Sequence, residues 1–146
     1  MSVCRSSVGV FSALIILGST HCGEDKHTEY ASYKILASSG AGPRSWFPRC
    51  TPTSAFQLEE FHNVDDNVVI GRLRIPLSDV GLMADCGSAP GKIAADLDPV
   101  LSGWPTCLTG HITDQTLKQC DMVAYDDSQF IIAADARTGN VFYWSR

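Results

Sequence analysis

A chain of 146 residues has room for one domain and little more. Apolar residues make up 45% and charged residues 18%, a balance that excludes an intrinsically disordered chain. The net charge of −5 argues against broad nucleic-acid binding through many phosphate contacts, while leaving a local basic patch open.

At the N-terminus, MSVCRSS carries Arg5 and no acid, and VGVFSALIILG (8–18) is an apolar run of 11 residues. Such a run is too short to span a bilayer and has the size of a signal-peptide core. Gly18, Ser19 and Thr20 follow it, and polar GEDKHTE begins soon after. This order predicts a signal peptide over 1–22 and a single secreted domain over 23–146, against the plainer alternative of a buried first helix. No later segment is apolar enough to cross a membrane. Removing 1–22 takes away Arg5 and no acid, moving the net charge from −5 to −6.

Cys4 leaves with the signal. Cutting after Thr20 leaves Cys22, Cys50, Cys86, Cys107 and Cys120, whereas cutting after Cys22 leaves an even set of four. In an oxidising compartment these are disulfide candidates, with three connectivities open for four thiols. There is no CxxC or HxxxH, and spacings of 36, 21 and 13 residues suit disulfides better than a metal. Neither a metal nor a cofactor is expected.

Along the rest of the chain, GEDKHTE (23–29) reads as a mobile polar leader. EYASYKILASS (29–39) fits a strand or a short helix, and GAGPRSWFPRCTP (40–52) is turn-rich with Trp46 and Phe47 as anchors. TSAFQLEEFHN (53–63) is the best helix: Ser54 and Gln57 fit a capping box, and Phe56, Glu60 and Phe61 mark its faces. NVVIGRLRIPL (67–77) alternates as a strand with Arg72 and Arg74 on one face, and Pro76 ends it or puts it near an edge. SDVGLMADCGSAPGK is loop-like. IAADLDPVLSGWPTCLTG is irregular with Trp104 as an anchor, and HITDQTLKQ (111–119) is a short helical turn. CDMVAYDDSQFIIAADARTGNVFYW (120–144) reads as three strands joined by two polar turns. One helix early and strands late predict an α+β domain: a short helix packed on a twisted antiparallel sheet, disulfide-stabilised.

The signal peptide, early helix, central strand and terminal meander "CD-x-V-x-Y-D-x-x-x-F-I-I…T-G-x-x-F" resemble the small guanyl-specific fungal ribonucleases. They resemble more closely the ribonuclease-like secreted effectors of powdery mildew and related plant-pathogenic fungi. The resemblance covers 54–144 in architecture and 120–144 in motif, and implies a microbial-ribonuclease-like fold. The family's catalytic arginine position falls here on Met122, its histidine on Ala136 or Arg137, and its glutamate near Arg72 or Arg74. The resemblance therefore implies a member without catalytic residues. Such a member would suppress plant defence by binding host plant protein, outside or inside the host cell, as a monomer with at most weak RNA contact.

Read from the residues, an enzyme would need His62 or His111, a carboxylate such as Glu60 or Asp135, and Arg72 or Arg74. His62 reads more simply as a solvated helix C-terminal residue, and His111 as a loop or cap residue. Arg72 and Arg74 suit a phosphate or an acidic partner, with a solvated strand face as the plainer reading. Asp135 shares a face with Ile131 and Ala133 and has Arg137 as its expected partner. The binding candidates are thus Arg72, Arg74, Asp135 and Arg137, and no residue is assigned as catalytic. Two alternatives stay open. One is an active secreted guanyl-type ribonuclease with relocated residues. The other is a disulfide-stapled protease inhibitor or other binder, its reactive loop framed by Cys86 and Cys107.

Overall fold

A computed structural model describes residues 25–40, 46–97 and 104–146. The expected signal peptide, with Cys4 and Cys22, lies outside them. Among the described residues there are eight strands and two short α-helices: β1 (Asp25–Ser32), α1 (Tyr33–Ser38), β2 (Phe56–Asn63), β3 (Val68–Arg74), β4 (Ala94–Leu97), β5 (Gly110–Thr113), α2 (Asp114–Gln119), β6 (Met122–Asp126), β7 (Phe130–Asp135) and β8 (Asn140–Ser145). A 3-10 segment spans Leu77–Cys86. Six strands form one antiparallel sheet in the order β1-β2-β3-β8-β7-β6, and β4 pairs with β5 in a separate hairpin.

The expectation of an α+β, microbial-ribonuclease-like domain is corrected by this sheet. No helix forms at 53–63: Phe56–Asn63 is strand β2, and the α-helices that do form have six residues each. The helix-like spacing of Phe56, Glu60 and Phe61 is coincidental. Alternation along β2 is broken at Gln57, which has φ 50°, where the register with β3 shifts between Phe56 and Glu59. Such a bulge hides a strand's period of two. The polar stretch from Asp25 belongs to edge strand β1 rather than to a leader. β3 is internal, flanked by β2 and β8, so Pro76 closes it without placing it at an edge.

The two α-helices are local events. Ser32 Oγ accepts the Ile35 N–H to cap α1, and Thr113 and Thr116 form a reciprocal capping box on α2. The terminal meander follows the expected three strands, and Phe142, Tyr143 and Trp144 are all buried.

The sheet is apolar on both faces, and a separate core forms on each. On the first face Leu58, Val69, Leu73, Phe130, Ile132, Val141 and Tyr143 pack beneath Leu36 of α1, Phe47, Ala55 and Met83. On the second face Ile70, Ile131, Ala133, Phe142 and Trp144 pack beneath Ile93, Trp104, Leu108, Ile112 and Leu117. Each face has its own disulfide. Cys50–Cys86 ties the loop after Trp46 to the 3-10 segment, and Cys107–Cys120 ties Cys107 to the end of α2. Cys86 therefore does not pair with Cys107, and the loop between them is not closed as an inhibitor's reactive loop.

Two glycines are fixed by close approach. Gly71 lies opposite Tyr143, whose ring folds over it so that an added Cβ would sit 2.1 Å from ring atoms. Gly139, at φ 71°, ends the turn between β7 and β8, with Ile75 N–H donating to its carbonyl at 2.9 Å. Gly71→Ala forces Tyr143 out of a fully packed site, so it should destabilise the fold by about 1–3 kcal/mol. Urea unfolding of the variant checks this; an unchanged midpoint would contradict the packing described.

Candidate functional site

Cross-strand register sorts the polar residues into two clusters, one on each face of β1–β3. On the second face the aligned row Glu29–Glu59–Arg72–Phe142 runs from β1 to β8. It passes from charged to apolar as the sheet goes under its cover. Glu59 is 8% exposed and holds two partners: His27 Nε2 lies 2.9 Å from Oε1, and Arg72 Nε donates to Oε2. A buried carboxylate is tolerated when paired in this way. Arg74 projects beside them, its guanidinium 5.4 Å from the Phe56 ring centre and within 3.4 Å of Gln57 Oε1. Glu59, Arg72 and Arg74 line a groove of about 540 Å³ bounded by β1, β2, β3 and the Asn140–Phe142 end of β8.

His27, Glu29 and Glu59 bring ligand atoms within 4.8 Å of one another, as a divalent cation would require. The Arg72 guanidinium on the same carboxylate opposes a second positive charge there.

On the first face Glu60 and His62 lie on β2, pointing away from the groove. His62 is 6% exposed rather than solvated at a helix end, and Trp46 covers it with ring centres 4.3 Å apart. Its Nε2 has no hydrogen-bond partner among the described residues, nor has the Tyr143 hydroxyl. Glu60 is equally buried, and burial raises its carboxyl to about 7 although the Trp46 N–H donates to it. The Tyr143 phenol is pushed up by burial and by the nearby Glu60 charge.

Of the four residues expected to bind, Arg72 and Arg74 line the groove. Asp135 and Arg137 lie apart from it, at the β7–β8 turn. Asp135 is buried, accepts the Arg137 N–H at 2.8 Å and has Arg137 Nε at 3.7 Å. Arg137 also reaches Asp121 at 3.3 Å. Burial on its own would raise the Asp135 carboxyl; the Arg137 N–H, the Thr138 hydroxyl and the Arg137 charge outweigh it and hold the carboxyl low. This ties the turn together. His111 stands on β5, exposed, with Nδ1 2.9 Å from Asp96. Glu29 and Glu59 of the groove lining, and His27, which pairs with Glu59, are absent from the expectation. Only His27 and Glu29 carry a sequence signal, the alternation of K-H-T-E-Y.

Glu60 has a folded-state value of about 7 against an ordinary 4.5, so the fold favours its protonated form. That contribution is complete below the unfolded value and is lost as pH rises from about 4.5 to about 7, amounting to as much as ~3 kcal/mol. The melting temperature should therefore fall over that window. Glu60→Gln keeps an acceptor for the Trp46 N–H and should flatten this part of the profile. An equal fall in the variant would contradict the assignment.

Residues 24–74 match the family model described as the YbbD head domain. No curated protein and no solved structure matches the chain. The matched stretch, about a third of the chain, carries β1, α1, β2 and β3, and so includes the polar residues of those strands on both faces. This overturns the resemblance to ribonuclease-like fungal effectors, because the family model that matches is a different one. Over residues 24–74 the chain is similar to the YbbD head domain.

Proposed function

We propose that the protein works in an oxidising compartment, outside the cytoplasm, as a disulfide-braced binding protein rather than an enzyme. Its contact surface is the β1–β3 groove. The observation that carries this reading is the anchoring of Arg72 and His27 on the two oxygens of buried Glu59, with Arg74 exposed alongside. A charged ladder fixed from beneath is preorganised and loses little side-chain freedom when a partner docks. Arg74 suits an acidic side chain on a protein partner, and Glu29 suits a basic one. The two disulfides support the compartment.

A second reading rests on the same residues. A histidine, a carboxylate and a guanidinium within bonding distance are also the parts of a general acid–base site for phosphodiester cleavage.

One experiment separates the two. A photo-crosslinking side chain at position 74 should capture a discrete partner from the extracytoplasmic fluid, and the same group at exposed position 123 should not. Arg72→Glu should abolish the capture. In parallel, RNA and bis-(4-nitrophenyl) phosphate should show no turnover. Turnover lost in both His27→Ala and Glu59→Gln would replace the binding reading with the enzymatic one.

A further inference from the structure

The first face carries a second concavity, a cavity of about 890 Å³ between α1, the loop Trp46–Thr51 and the far ends of β7 and β8. This volume lies in the range of small-molecule sites. Tyr33, Trp46, Phe47 and Phe130 supply aromatic walls. Phe47 and Phe130 belong to the first-face core, whereas Trp46 is 39% exposed at the mouth. An exposed indole on a rim held by a disulfide is apolar surface awaiting cover.

The charges in the lining are one-sided. Arg49 and Arg146 contribute to it, and among the described residues no aspartate or glutamate does. Arg146 is braced by Asp126, with Nη2 2.8 Å from its carboxylate, while Arg49 is exposed without an ion pair among the described residues. The groove on the other face, by contrast, balances Arg72 and Arg74 with Glu29 and Glu59. On a chain of net charge −5, a concavity whose charged lining side chains are two arginines, one of them paired to Asp126 behind it, favours an anion through Arg49 above all.

We infer that this cavity binds a small amphipathic organic anion. A flat apolar body would lie among the four aromatic rings, with one carboxylate or comparable anionic group turned to Arg49 and Arg146. Arginine suits such a group because its planar donors meet two oxygens at once. The aromatic walls supply apolar area and the rim supplies orientation, the usual division of labour in a ligand site. The site is on the opposite face from the β1–β3 groove and stands or falls independently of it.

The test uses 2-naphthoate and its neutral counterpart 2-naphthamide, added to the folded, disulfide-intact protein and followed by amide chemical shifts and tryptophan fluorescence. Naphthoate is expected to shift the amides of Phe47, Val69 and Phe130, and to bind at least tenfold more tightly than the amide. Arg49→Gln is expected to remove most of that tenfold preference, and Arg137→Gln to leave it unchanged. Equal binding of the two probes, indifference to Arg49→Gln, shifts confined to the other face, or no saturable binding at millimolar probe would each overturn the inference.

Discussion

The constraint from which the rest follows is a sheet that is apolar on both faces. Strand β7, Phe130–Asp135, is buried at every position, which only a strand covered above and below can be. The chain therefore has to furnish two covers, and among the described residues it does so with two six-residue helices, a two-stranded hairpin and 3-10 turns. Helices this short are marginal alone. Each cover accordingly carries a covalent clip, Cys50–Cys86 on the first face and Cys107–Cys120 on the second. Closing segments with separations of 36 and 13 residues contributes about 4 and about 3 kcal/mol by chain entropy. These magnitudes are large beside the usual net stability of a domain.

The same constraint explains where polar chemistry survives. Beneath the covers, rows of the sheet are apolar, as in Phe142, Ala133 and Ala124. Toward β1 the second-face cover runs out, and the same row becomes Glu29, Glu59 and Arg72. On the first face the row Thr28–Glu60–Gly71–Tyr143 places a carboxyl and a phenol beneath the Trp46 loop. Gly71 is the residue that makes room, since Tyr143 folds across it. The carboxylates of both polar clusters thus sit on β1–β3, within the stretch matched by the YbbD head-domain model, while Tyr143 comes from β8.

Some of this organisation is legible in the sequence and some is not, for identifiable reasons. Strand β3 and the meander β6–β8 show because they alternate or run apolar between polar turns, and Thr138-Gly139 marks a turn whose glycine takes a positive φ. The Asp135–Arg137 pair is legible because its partners are two residues apart. Strand β2 is concealed by the bulge at Gln57 and by an accidental helical spacing of aromatics. Strand β1 is concealed because its side chains are polar and its pairing lies about thirty residues away, at Glu29–Glu59. The groove is hidden with it, since His27 reaches Glu59 only after β1 and β2 pair. Disulfide pairing among four cysteines is a matter of three-dimensional proximity and leaves no local signal.

Native-state hydrogen exchange on the two single-disulfide variants tests the claim that each face depends on its own clip. In Cys107→Ser/Cys120→Ser, the amides of β5 and α2 should lose protection while β2 and β3 keep theirs. In Cys50→Ser/Cys86→Ser, the loss should fall on Thr51, Ala55 and the 3-10 segment Leu77–Cys86. If both variants lost protection uniformly across the six strands, or neither lost any in its own cover, the two-cover account would be contradicted.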